Sequence, residues 1–323
     1  MTFDLLEAWD CRAVLANTYH LMARPGLESI ERAGGLHAFV GWPRALLTDS
    51  GGFQVMSLSS RRRITEEGVE FRSPEDGTPL FLSPERALEL QAAFGVDIAM
   101  SLDVCPPFPA EKKEVAESCR LTLSWARRSK AAYRGPGLLF GIVQGGTQED
   151  LRRDAAEALA ELEFAGYAIG GVAVGESKEA IRAITALTAS LLPEGKPRYL
   201  MGVGTPADLL ASARAGVDLF DCVLPTRNGR MGHVYTREGE VVIKHERFKN
   251  DLQPLDPACA CPVCRRHSRS YLRHLFVLKD FSAPMLLSIH NVFFYLDWMR
   301  TIREALSAGT LARLEAPPES KID

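Results

Sequence analysis

Apolar residues in this chain come in short, nearly unbroken runs, and between the runs the apolar positions spread out at helical spacing. The runs are CRAVLANTY (11–19), ALLTDSG (45–51), VDIAMSLDV (96–104), LLFGIVQG (138–145), GYAIGGVAVG (166–175), RYLMGVG (198–204) and VDLFDCVL (217–224). Runs of this length predict strands, and their near-continuous apolar character predicts strands covered on both faces. The intervening segments carry helix punctuation. Ser83 and Pro84 open one helix, as cap and first-turn proline, and Gly95 closes it; Thr205 and Pro206 open another, which Gly216 ends. Strand, helix and strand at this cadence predict a parallel sheet.

Two architectures share that cadence, an open doubly wound sheet and a (β/α)8 TIM barrel. Neither GxGxxG nor GxxxxGKS follows the first strand, which weakens the open sheet. Polar residues decide for the barrel. Asp49, Asp103, Gln144, Gly170-Gly171, Gly202 and Asp221 fall at or near the carboxyl ends of different strands, and a barrel gathers those ends at one mouth. A closed barrel needs eight strands, whereas seven are legible. TFDLLEAWD at the start reads as the helix of a βα unit whose strand is absent, so the expectation is a TIM barrel missing its first strand. The whole chain, 1–323, is expected to form one catalytic domain with two interruptions. Residues 61–82 read as an antiparallel insertion with a turn at Asp76-Gly77. Residues 231–247 read as a hairpin with a turn at Glu238-Gly239, opening a helical subdomain over 231–300 that carries clustered cysteines.

Composition adds two features to this picture. A hydrophobic content of 46% and a charged content of 24% are ordinary for a globular protein, and a net charge of −3 gives no global sign of nucleic-acid binding. Between Arg227 and His274, however, ten Lys/Arg stand against five Asp/Glu, so a local +5 sits in a chain that is otherwise −8. Such a region is either a solvated face or a docking surface for a polyanion. No apolar stretch approaches bilayer length, and the N-terminus has acids where a signal peptide needs bases, so a cytoplasmic protein with no membrane partner is expected. The second feature is Cys259-Ala-Cys261-Pro-Val-Cys264. Three soft ligands within six residues, in a chain with seven cysteines, point to Zn2+ rather than disulfides. The fourth ligand is left among His267, His274 and His290, with a helix-borne His274 or His290 preferred because His267 lies so close to Cys264. A site with all four positions filled would be structural, pinning the C-terminal helices.

Asp49, Asp103 and Asp221 each sit among apolar or glycine neighbours, where an unpaired carboxylate is costly. Any one of them is adequately explained as a strand-end residue bonded to loop amides. Three at corresponding strand ends suit displacement at an anomeric carbon, one attacking C1′ and another exchanging a proton with the leaving group. The Ser50-Gly51-Gly52, Gln144-Gly145-Gly146 and Gly170-Gly171 segments let backbone amides approach a flat ligand. Gln144 can bond a heteroaromatic edge through donor and acceptor, and Phe53 and Met201 can sandwich the ring. Behind Asp221, a Pro-Thr turn leads into a cationic glycine-containing loop with Arg227 and Arg230.

TDSGGFQVMSL (48–58), SLDVCPPFPA (101–110), GIVQGG (141–146), YAIGGVAVGE (167–176), YLMGVGTP (199–206), FDCVLPTRNGRMG (220–232) and CxCxxC with a distant His290 resemble, in that order and over nearly the whole chain, the bacterial tRNA-guanine transglycosylases. The resemblance implies a zinc-containing TIM barrel, acting as a homodimer, that replaces the wobble guanine of tRNAs with a GUN anticodon (those for aspartate, asparagine, histidine and tyrosine). The incoming base would be preQ1 (7-aminomethyl-7-deazaguanine), in queuosine biosynthesis. By motif, Asp221 would be the nucleophile that forms a covalent enzyme–RNA intermediate, and Asp49 the general acid and then base. Asp103, Gln144 and the Gly170-Gly171 backbone would read the base with help from Ser50, and Phe53 and Met201 would stack on it. Arg227 and Arg230 would grip the anticodon-loop backbone. Cys259, Cys261, Cys264 and His290 would hold one structural zinc per subunit. Val174 stands where eukaryotic members, which take the larger base queuine, have glycine, implying preQ1 here. Family members begin several dozen residues earlier, with a small sheet and the first barrel strand, which matches the strand missing from the count. The competing expectations are a non-catalytic tRNA-binding partner subunit and a hydrolytic N-glycosidase. Retention of Asp49 and Asp221 opposes the first; the basic loop and zinc region oppose the second.

Overall fold

Every one of the seven apolar runs forms a strand. In chain order the strands are β1 (Ala13–Asn17), β2 (Ala45–Asp49), a small set β3 (Arg63–Ile64), β4 (Val69–Arg72) and β5 (Pro79–Leu82), then β6 (Ile98–Met100), β7 (Leu138–Val143), β8 (Gly166–Ile169), β9 (Arg198–Leu200) and β10 (Leu219–Phe220). The computed structural model describes residues 1–54, 62–73 and 77–319. The large sheet is parallel throughout, in the order β1-β2-β6-β7-β8-β9-β10. That order is the chain order. A doubly wound sheet reverses its order at a switch point, whereas a (β/α) barrel adds each strand to the same side of the last. The sheet is thus a curled, seven-stranded barrel sheet, and β1 and β10 are its two ends.

The chain divides into two compact units. The sheet unit comprises Arg12–Met201 with Ala215–Phe220; the other comprises Met1–Cys11, Gly202–Arg214 and Asp221–Asp323. In the sheet unit, Leu47, Met100, Phe140, Ile142, Ala168 and Tyr199 form one buried cluster drawn from five neighbouring strands. A parallel sheet buried on both faces needs such continuous apolar strands. Helices cross between the strands, and their starts obey the signals in the sequence. Helix Pro84–Phe94 begins with Ser83 Oγ accepting from Arg86 N–H at 3.1 Å. Its buried Gln91 side chain accepts from Thr48 Oγ1 and Met100 N–H, at 3.0 and 2.8 Å, and donates to Met100 O at 3.0 Å. One polar side chain therefore ties β2 to β6 just beneath the end of β2.

Several boundaries differ from expectation. Thr18 and Tyr19 close the first run in sequence but begin helix Thr18–Ala23, because Asn17 caps it by accepting from His20 N–H at 3.0 Å. The pairing of β6 stops at Met100, three residues before Asp103. The segment after Asp221, expected as a turn and loop, is helix Leu224–Arg230. The antiparallel set β3–β4–β5 occupies the expected insertion, although Asp76 of its expected turn lies outside the described residues, as does residue 61.

The second unit holds the hairpin β11 (His233–Thr236) and β12 (Gly239–Val242), whose register leaves Arg237 and Glu238 as the turn, one residue earlier than expected. Its core gathers Val234, Ile243, Phe248, Leu255, Val263 and Leu287 around Cys261 and Cys264. The 26-residue helix Ser282–Ser307 runs through this unit. Trp298 Nε1 donates to Pro206 O at 3.0 Å, tying it to helix Pro206–Arg214, which Thr205 opens by accepting from Asp208 N–H.

Candidate functional site

Asp49 is the last residue of β2 and is half-buried. Its carboxylate accepts from Asn17 Nδ2 at 2.6 Å, Thr18 N–H at 3.1 Å and Gly51 N–H at 3.1 Å. Asn17 has no freedom in this. Its Oδ1 already caps the following helix, so its NH2 must face the carboxylate. Parallel register places Asn17 directly beside Asp49 on the neighbouring strand. Asn17 and Thr18 were not among the residues singled out in the sequence. The available signal was a strand ending in Asn-Thr, two residues that favour helix N-termini.

Asp103, Gln144 and Ser50 meet at the carboxyl ends of β6, β7 and β2. Gln144 Nε2 donates to Asp103 Oδ2 at 2.7 Å, and Ser50 Oγ reaches Asp103 Oδ1 at 3.5 Å while accepting from Gly52 N–H at 3.3 Å. All three side chains are buried. Burial pushes the Asp103 carboxyl up to about 6 against the pull of its hydrogen bonds from Gln144 and Ser50. The same burial pushes the neighbouring Cys105 thiol up to about 12, leaving it neutral. Gln144 Oε1 is buried without a hydrogen-bond partner among the described residues. A buried acceptor left unmade is costly, and a ligand N–H relieves it. Gly171 borders this atom: a Cβ there would lie 2.2 Å from Gln144 Oε1, and its φ of +61° is a conformation side chains rarely adopt. Met201 packs against the sheet cluster, and Phe53 is 46% exposed, an aromatic face open to a flat partner.

Gly170, directly after β8, also lies in the sheet unit; the remaining predicted residues belong to the second unit. Asp221 follows β10 directly and is half-buried; its Oδ1 accepts from Gly202 N–H at 2.8 Å. Next to it, burial together with the Asp221 charge pushes the Cys222 thiol up to about 12, leaving the thiol neutral. Arg227 and Arg230 are exposed, one helical turn apart on Leu224–Arg230, and neither forms an ion pair among the described residues. That helix lies close against Ser282–Ser307: a Cβ on Gly229 would lie 2.7 Å from Ser288 N, so only glycine permits the approach.

Cys259, Cys261, Cys264 and His290 place one ligand atom each within 4.8 Å of one another and could hold a metal ion. His290 Nδ1 lies 3.3, 3.5 and 3.8 Å from the sulfurs of Cys264, Cys261 and Cys259. Its Nε2 faces Tyr235 O at 2.8 Å. Donation to that carbonyl fixes the tautomer and frees Nδ1 as a ligand. His267 stacks on Tyr271 instead, with ring centroids 5.1 Å apart. No helix among the described residues is long and apolar enough to cross a membrane.

A family model described as Queuine tRNA-ribosyltransferase matches residues 1–317. A queuine tRNA-ribosyltransferase of Caldanaerobacter subterraneus is 52% identical over 313 residues, covering 96% of this chain and 84% of the relative. Those of Cereibacter sphaeroides and Acidithiobacillus ferrooxidans are 52% and 50% identical, covering 94% and 96% of this chain and 81% and 84% of the relatives. A match of this extent, over a chain whose strand ends carry these acids and whose three cysteines and one histidine converge, shows that the protein belongs to the queuine tRNA-ribosyltransferase family, the tRNA-guanine transglycosylases.

Proposed function

We propose that the protein exchanges guanine at the anticodon wobble position of tRNA for preQ1, through a covalent intermediate on Asp221, in queuosine biosynthesis. The observation that carries this reading is the buried Asp103–Gln144 pair beside Gly171, an acceptor-rich slot with the unpartnered Gln144 Oε1 in it. A purine-like edge supplies the N–H donors such a slot lacks. The Asp221 carboxylate attacks ribose C1′ as the C1′–N bond to guanine breaks, and Asp49 delivers a proton to the departing base. Asp49 then takes a proton from preQ1, whose nitrogen attacks C1′ and releases Asp221. Each displacement inverts C1′, so configuration is retained, and one N-glycosidic bond replaces another without ATP. Arg227 and Arg230 hold the phosphates while the slot reads the base. The substrates are tRNAs with a GUN anticodon, and the setting is the cytoplasm. A homodimer follows the family, with exposed Tyr271, Val277, Leu278 and Phe281 as apolar surface for it.

Zn2+ suits the Cys3His cluster. Zn–S bonds near 2.3 Å and Zn–N bonds near 2.1 Å set tetrahedral N···S edges of roughly 3.6 Å, and the three distances from His290 Nδ1 bracket that value. With four protein ligands no position would be left for water, so the metal would serve a structural role.

The test is exchange of radiolabelled guanine into unmodified tRNA. Incorporation without free ribosyl product supports transfer. Release of guanine without incorporation would instead show hydrolysis, and tRNA binding without either would show a partner subunit.

Two expectations follow from the slot. Asp103 must be ionised to accept the N–H groups of the base, and its carboxyl is held up at about 6. Efficiency toward free guanine should therefore fall as pH drops through about 6, and Asp103→Asn should be weaker throughout but lack that step; kcat/KM for guanine between pH 5 and 8 reads both. Val174 is half-buried, with its N–H donating to Glu176 Oε2 at 2.8 Å, and its side chain would narrow the space beside the aminomethyl group. Incorporation of preQ1 should exceed that of queuine by about tenfold or more, the scale of a steric misfit in a formed pocket. Comparable kcat/KM values for the two bases would refute this.

A further inference from the structure

Arg152 is fully buried on helix Glu149–Ala160, and no carboxylate pairs with it among the described residues. A buried cation without a counter-ion is expensive unless hydrogen bonds satisfy it. Here backbone carbonyls do so. Nε donates to Gly146 O at 2.9 Å, Nη1 to Val143 O at 3.0 Å, and Nη2 to Gly170 O at 2.7 Å and Gly171 O at 3.0 Å. Val143 and Gly146 flank Gln144 on one strand end, and Gly170-Gly171 is the adjacent strand end. The guanidinium therefore clamps both segments that would read the base.

We propose that Arg152 is a positioning residue for base recognition, holding the Gly170–Gly171 peptide and the Gln144 segment in the arrangement that accepts a purine-like ring. The inference rests on the function proposed above. Its geometric core is the planarity of the peptide. With Gly170 C=O drawn to Arg152, the N–H of the same trans peptide, that of Gly171, points the opposite way. Gly171 has no side chain to hold that orientation, and its φ of +61° leaves several conformations within reach. Arg152 removes that freedom. Its stem also fills the space beside Gly145, where a Cβ would lie 3.0 Å from Arg152 Cγ and Cδ. Burial pulls the guanidinium down to about 10, which still leaves it cationic near neutral pH.

The experiment compares Arg152→Lys and Arg152→Gln with the wild type in steady-state guanine exchange, varying free guanine and tRNA separately. The expected result is a KM for guanine raised at least tenfold in Arg152→Gln and less in Arg152→Lys, with the KM for tRNA within twofold. A smaller folded fraction lowers kcat and moves neither KM, so this split separates positioning from simple destabilisation. An unchanged KM for guanine, a parallel rise in both KM values, or recovery of both variants only as unfolded protein would overturn the proposal. A wild-type protein that exchanges no guanine would fail the functional reading itself, a distinct outcome.

Discussion

Replacing Asp221 by Asn is expected to slow base exchange at least about 10⁴-fold, the scale seen when a nucleophile is removed, and to leave no covalent RNA adduct. The carboxamide has nearly the shape of the carboxylate and can still accept from Gly202 N–H through its Oδ1, a bond of 2.8 Å in the native protein. Fold and local geometry should therefore survive. What would be lost is the carboxylate oxygen proposed to bond to C1′. Cys222 offers no substitute, because its thiol is pushed up to about 12 and stays neutral. Affinity for tRNA should change little, since phosphate contacts carry most of it and the arginines of Leu224–Arg230 are untouched. Denaturing gels of enzyme with labelled tRNA read the adduct, and filter binding reads affinity. An adduct that persists in Asp221→Asn, or tRNA binding that collapses together with activity, would sink the assignment.

The parallel sheet was legible because strands buried on both faces are written as continuous apolar runs, and all seven runs form strands. Their ends were less legible. Apolar character does not say where pairing stops, so VDIAMSLDV contributes only Ile98–Met100 to the ladder and Asp103 stands beyond it. Helix Leu224–Arg230 was missed because LPTRNGR has poor intrinsic helix propensity, with Pro225 and Gly229 inside seven residues. Packing decides there, and Gly229 is what lets the segment approach the long helix. The spacing of the cysteines announced a metal cluster but left His267, His274 and His290 open from the residues alone; only the family resemblance, and then tertiary structure, selects His290. Arg152 was hidden for a different reason. A charged residue on the buried stripe it shares with Ala156 and Leu159 is the kind of exception that should prompt a search for its partners.

Removal of the metal is expected to cause the largest loss of stability and, with it, of exchange. Binding of structural zinc is worth about 10–16 kcal/mol in small metal-dependent domains, as much as the total stability of a typical protein, about 5–15 kcal/mol. The cluster sits within the core that includes Val234, Ile243, Leu255 and Leu287, and Cys261 and His290 are fully buried. The loss should reach the segment that follows Asp221 because His290 and Asn291 are consecutive on the long helix. His290 Nε2 bonds to Tyr235 O, while Asn291 accepts from Tyr235 N–H at 3.1 Å and donates to Pro225 O and His233 O, each at 2.9 Å. Pro225 opens the helix that carries Arg227 and Arg230. One strand residue, Tyr235, is thus held between His290 of the Cys3His cluster and the Asn291 side chain that anchors helix Leu224–Arg230. Chelation, or Cys261→Ser, should lower the melting temperature and the exchange rate together. Asn291→Leu should retain one equivalent of metal by elemental analysis yet lose exchange, because it strands buried backbone groups at about 1–3 kcal/mol each. Metal-free protein with native melting and full exchange would show that the four ligands do not support the site, and an Asn291→Leu enzyme as active as the native one would break the link from metal to nucleophile.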